Sequence, residues 1–229
     1  MPYHIQTEPI WEAFRADCDC PLCEIYNAAS DRLVEQYLNE AVMEPDYRVQ
    51  VNKYGFCTEH LRALFAGKNK LGLSLQLRTR TEEVRSHITP CASYRQALQQ
   101  ADALQKTMHT CVICNTVGDM MRRYAQTVAQ LFADECDFRT VFGNSNGFCL
   151  PHYALLLRES NKAGRLTKAY LSQLVLLQNR TVDRVCHDLD RFAERFDYRN
   201  AGSAVRPDPD TIPKAIRKLK GRILPRANG

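Results

Sequence analysis

One metal-ligand pattern, stated twice, constrains this chain more than anything else in it. Cys20-Pro21-Leu22-Cys23 precedes Gly55-Phe56-Cys57-Thr58-Glu59-His60, and Cys111-Val112-Ile113-Cys114 precedes Gly147-Phe148-Cys149-Leu150-Pro151-His152. Matching ligand positions are offset by 91, 91, 92 and 92 residues. Thiolate and imidazole suit the borderline softness of zinc, whose filled d shell accepts a tetrahedral site. The pattern therefore predicts two Cys3His sites on an internally duplicated unit. Read in chain order, Cys20, Cys23, Cys57 and His60 hold one ion and Cys111, Cys114, Cys149 and His152 the other. An exchange of halves between the two copies is the alternative pairing.

The ten cysteines among 229 residues would fit a disulfide framework in a secreted chain. The N-terminus lacks the basic start and apolar core of a secretory signal, however, and no apolar run approaches a membrane span. The cytoplasm is the expected compartment, and C-x-x-C pairs there bind metal or do redox chemistry. The formal charge of +5 also has a local origin. Residues 206–229 carry seven Lys or Arg and two Asp, leaving 24 charges of each sign in residues 1–205. A neutral body with a basic tail does not have the footprint of a nucleic-acid-binding domain.

Strand signals are scarce, and three- and four-residue apolar spacing predicts an all-α fold. Val117, Met120, Met121, Tyr124, Val128, Leu131 and Phe132 mark one helix face; Tyr26, Ala29, Ser30, Leu33, Tyr37, Glu40 and Ala41 mark its counterpart in the first copy. Each copy then reads as an irregular segment, broken at Glu44-Pro45-Asp46 and around residues 134–137, followed by the second half-motif. Gly55 and Gly147 are expected at positive φ. A helix restarts at each following Cys, and longer helices follow at roughly 70–88 and roughly 165–197. Leu174, Leu177, Val185, Leu189, Phe192 and Phe196 mark the buried face of the last, which would be on the order of 45–50 Å long. Ile10, Trp11 and Phe14 read as core on a first helix.

The organisation expected is one fused helical body over 1–205, with pseudo-two-fold symmetry. It comprises repeat 1 (about 8–90) and repeat 2 (about 92–198), with a linking helix from about Ala92 to Met108. A basic C-terminal tail, 206–229, carries a short helix capped by Thr211 with Pro213 in its first turn. Ile216, Leu219 and Ile223 are its apolar side. Docking of this helix on the body, contact with an acidic partner, and contact with anionic lipid or nucleic acid all remain open at this level.

Four protein ligands close a zinc site, so the first expectation is a structural role for two ions per chain. An iron–sulfur cluster fits a Cys3His set less well, since all-Cys ligation is commoner. Three thiolates around a dication leave a formal charge of about −1, which Arg48 and Arg139, from the repeated Asp-aromatic-Arg motifs, are placed to offset. Cys18 and His109 each lie two residues before a C-x-x-C and are candidate fifth ligands. Cys91, Cys136 and Cys186 read as small buried hydrophobes. No nucleotide-binding, HExxH or nucleophile-elbow motif occurs.

The tandem C-P-x-C and G-F-C-x-x-H motifs, with the closing Ile212-Pro213-Lys214-Ala215-Ile216, resemble a bacterial family of unknown function over nearly the whole chain. Some of its members carry an automatic label of ABC transporter substrate-binding protein. The resemblance implies the doubled motif and metal; Cys111-Val112-Ile113-Cys114 departs from it by lacking the proline. The function expected is a zinc-stabilised cytoplasmic binding or adaptor protein with a protein partner, a reading that leans away from catalysis and leaves it open. The alternatives are a redox or metal-responsive switch using Cys18 or His109 as exchangeable ligands, and a metalloenzyme with an open zinc position.

Overall fold

The computed structural model describes residues 7–194 and 208–221. Every regular element among them is helical, as the periodicity requires, and no helix there is long and apolar enough to cross a membrane. The order is α1 (Thr7–Arg15), α2 (Pro21–Leu38), a 3-10 turn (Glu40–Val42), α3 (Pro45–Tyr54), α4 (Thr58–Ala66), α5 (Lys70–Ser86) and α6 (Tyr94–Met108). It continues with α7 (Val112–Asp134), α8 (Cys136–Asn144), α9 (Leu150–Arg158), a second 3-10 segment (Ser160–Leu166), α10 (Thr167–Glu194) and α11 (Thr211–Lys220).

Two segments expected to be irregular are helices. Pro45 sits in the first turn of α3, where its missing N–H costs nothing and its fixed φ favours the helix, so this proline starts an element as well as ending one. Cys136 opens α8 in the corresponding place. Cys57 and Cys149 occupy the N-cap positions of α4 and α9, and Gly55 and Gly147 take φ of +60° and +78° just before them.

The chain divides into two compact units, one of Met1–Tyr26 with Met121–Gly229 and the other Asn27–Met120. The boundary falls inside α2 and α7, so the units do not coincide with the stretches 8–90 and 92–198.

The unit formed by the chain's two ends is cored by aromatic rings. Phe14, Phe132, Phe138, Phe142, Phe148 and Tyr170 are all buried, with neighbouring ring centroids 5.2 to 6.3 Å apart. Trp11 joins them edge-on against Phe138 at 5.1 Å. Such pairs add about 0.5–1.5 kcal/mol each to the apolar burial. α10 buries Tyr170, Leu174, Leu177, Gln178 and Thr181, but Val185, Leu189 and Phe192 are only half-buried. Phe196 lies outside the described residues.

The middle unit has smaller side chains in its core: Leu33, Tyr37, Leu38, Val42, Val51, Leu64 and Leu73. Tyr37 anchors it, edge-on to Tyr47 at 5.4 Å and to Phe56 at 5.8 Å. α6 is capped by Ser93, whose hydroxyl accepts from the Gln96 amide, yet buries no residue.

α11 packs on α9 and α10. Its buried face is Thr211 and Ala215, one turn apart, whereas Leu219 is 54 % exposed and Ile216 half-buried. The helix is thus rotated from the face that apolarity alone selects, and Ile223 lies outside the described residues. Cys91, Cys136 and Cys186, expected to be buried, are exposed.

Candidate metal centres

Each half-motif places two donors one turn apart at the start of a helix. Cys20 just precedes α2 and accepts at its carbonyl from the Cys23 amide (2.9 Å), so both thiols face the same side. Cys57 and His60, like Cys149 and His152, are an N-cap and the residue three further on. All eight donors therefore stand at helix N-termini, where the dipole and free amides favour thiolate. The Cys114 amide lies 3.5 Å from Cys111 Sγ and donates to it.

The structure brings the halves together in crossed pairs. Cys20, Cys23, Cys149 and His152 form one cluster and Cys57, His60, Cys111 and Cys114 the other, each with one donor atom per residue and all four within 4.8 Å of one another. This corrects the chain-order pairing. α2 has 18 residues and rises about 27 Å, carrying the chain away from Cys23 before it returns at Gly55. The returning motif packs late on that helix, with His60 beside Ser30 and Phe56 against Tyr37.

In the first cluster, Cys149 Sγ is 4.0 Å from Cys20 Sγ and 3.5 Å from Cys23 Sγ. His152 Nδ1 lies 3.6, 3.4 and 3.2 Å from the sulfurs of Cys20, Cys23 and Cys149. In the second, His60 Nδ1 lies 3.2, 3.4 and 3.4 Å from those of Cys57, Cys111 and Cys114, and Cys57 and Cys114 are 3.7 Å apart. Zinc bonds of about 2.3 Å to sulfur and about 2.0 Å to nitrogen give tetrahedral edges of roughly 3.8 Å and roughly 3.5 Å. The donor sets fit a single tetrahedral ion.

The thiols already share charge unequally. Burial opposes ionisation of Cys20, but its hydrogen bonding with Cys149, Cys23 and His152 holds its pKa well below the usual thiol value. Hydrogen bonding to Cys149 and Cys20 pushes Cys23 up. In the other cluster the Cys114 hydrogen bond brings Cys111 down to about 3, while Cys114 is pushed up by its bond to Cys111. Burial acts against protonated His152, yet hydrogen bonds to Cys149 and Cys20 raise it to about 9.

Cations bridge the loops that carry these ligands. Lys218 of α11 donates to the carbonyls of Asp19 and, at 2.8 Å, Asn146, joining the residue before Cys20 to the Gly147-Phe148-Cys149 turn. Burial lowers its pKa, against the pull of Cys20 and Asp19. Arg80 of α5 donates to the carbonyls of Asn52, Lys53 and Thr107, tying the approach to Gly55 to that of Cys111. Gln178 pairs with the Phe148 backbone in both directions, accepting at 3.3 Å and donating at 3.1 Å. Thr110 Oγ1 donates to Tyr54 O (2.7 Å), and the Val112 amide to Gly55 O (3.0 Å).

The arginines expected to offset the cluster charge are elsewhere. Arg139 caps α7 through the carbonyls of Phe132 and Ala133 and reaches Cys136 Sγ at 2.7 Å; Arg48 is exposed on α3. Neither candidate fifth ligand joins a cluster. The Cys18 thiol donates to Ala13 O (3.6 Å) and is pushed up to about 11, chiefly by burial. His109 is exposed at the end of α6. Ser30 stood in the sequence as a polar residue within an apolar stripe; Gln178, Arg80 and Lys218 were not singled out there.

A family model described as a family of unknown function, DUF6062, matches residues 1–226. The chain belongs to that family. A relative, an uncharacterized 23.9 kDa protein in xynA 3'region of Caldicellulosiruptor sp. (strain Rt8B.4), is 22 % identical over 191 residues, covering 82 % of this chain and 87 % of its own. No solved structure matches the chain.

Proposed function

We propose that this DUF6062 chain is a cytoplasmic binding or adaptor protein that carries two structural zinc ions. The observation behind this reading is the pair of four-donor clusters whose separations match the edges of a tetrahedral zinc site. Each cluster joins two helix N-termini far apart in sequence, so a bound ion would cross-link them and add its binding energy to folding. The middle unit, with its small core and a helix that buries nothing, has most to gain. Four protein donors per ion favour structure over catalysis. Donors gathered around one point favour a single ion over a multi-iron cluster, whose ligands sit on different iron atoms. We read the doubled motif as an internal duplication.

Metal content per chain, measured by plasma mass spectrometry on protein purified anaerobically without a metal-affinity tag, tests this reading. Two zinc ions per chain are expected. Iron, or less than one metal per chain, would overturn it.

A further inference from the structure

The two clusters are chemically alike but differ in cover. Cys20, Cys149 and His152 are buried and Cys23 half-buried, whereas in the middle unit Cys114 is exposed and Cys57 half-buried. α11 stands against the buried cluster. Arg217 reaches Asp19 at 3.0 Å and Asp210 at 2.8 Å, pinning the helix to the residue beside Cys20. Lys218 then ties both ligand turns together. Where α11 ends, a Cβ on Gly221 would stand 3.8 Å from Cys149 Sγ, so the helix terminus lies directly against a ligand. In the middle unit Arg80 ties backbone carbonyls, but Cys114 itself remains an exposed residue.

We propose that the clusters are built for different rates of exchange. α11 latches the Cys20 cluster shut, and the Cys57 cluster, open at Cys114, is where a soft divalent cation passes to or from a thiol-bearing ligand. Exchange there swaps one thiolate for another: the incoming thiol gives up its proton, and the displaced Cys114 sulfur takes one up. No electrons move. This inference rests on the two-ion reading above.

The test is pulsed labelling of the full-length, metal-containing chain with N-ethylmaleimide, with the modified cysteines mapped by mass spectrometry. Metal content is measured on the same sample. Cys114 and Cys57 are expected to label at least tenfold faster than Cys20, Cys23 and Cys149. In a Lys218→Met, Arg217→Ala variant, labelling of the Cys20 cluster should rise at least fivefold while that of Cys57 and Cys114 holds. Equal labelling of the two clusters in wild-type protein with two ions bound, or faster labelling of Cys20 and Cys149, would overturn the latch and leave the two-ion reading standing. A chain without metal would overturn both. The wild-type order decides the matter even if the variant fails to fold.

Discussion

Ser30 Oγ lies 3.2 Å from Nε2 of His60, on the side of the ring away from the three thiols that Nδ1 faces. With Nδ1 as metal ligand, Nε2–H donates to the serine, which fixes the tautomer and aims the ring. Partners of this kind typically change metal affinity by about 10–100-fold. Ser30→Ala should weaken the middle unit's ion by that factor in a chelator competition and leave the other ion unchanged.

Metal binding should release protons. Cys23 and Cys114 are held above the usual thiol pKa, and His152 is raised to about 9, so all three carry protons at neutral pH in the metal-free chain. Cys111, brought down to about 3, has no proton to give, and Cys20 is shifted in the same direction. Groups with raised pKa favour the proton-bound, metal-free state as pH falls, so affinity should climb with pH through the window below about 9. Competition titrations between pH 6 and pH 8 check this; an affinity independent of pH would contradict it.

The two positive-φ glycines should differ in cost. A Cβ on Gly147 would overlap Thr181 Oγ1 in the middle of α10, while one on Gly55 would meet Arg80 Nε at 2.9 Å on a long side chain that can move. Both substitutions are strained by φ. Gly147→Ala should therefore destabilise by about 1–3 kcal/mol more than Gly55→Ala in denaturant unfolding, as overpacking does.

Arg80→Met removes the tie between the Asn52 and Thr107 carbonyls. Hydrogen bonds from a charged donor contribute about 1.5–3 kcal/mol each, with less expected here because the arginine is partly exposed. The expected result is earlier thermal unfolding of the middle unit, read by hydrogen exchange at α3 and α5, with exchange in α8 and α10 unaltered.

The eight donors, the helix starts at Cys57 and Cys149 and the positive-φ glycines were legible because each is a local matter of spacing and backbone chemistry. The pairing was not. The same two half-motifs occur twice along the chain, so either combination satisfies the pattern, and the choice depends on where the chain packs after α2. The inward face of α11 was hidden for a related reason. Ile216 and Leu219 are its more apolar residues, but the Asp19 and Asn146 carbonyls give the Lys218 ammonium partners that only the folded chain brings together. Apolar spacing also overstated the burial of α10 beyond Thr181.

Metal counting in ligand variants tests the crossed pairing most directly. The double variant Cys20→Ser, Cys23→Ser should retain one zinc ion per chain. Adding Cys149→Ser should leave that ion in place, because all three cysteines serve the same cluster, whereas adding Cys57→Ser instead should remove it. The reverse pattern, with the ion surviving Cys57→Ser and lost with Cys149→Ser, would contradict the crossed clusters and restore pairing in chain order.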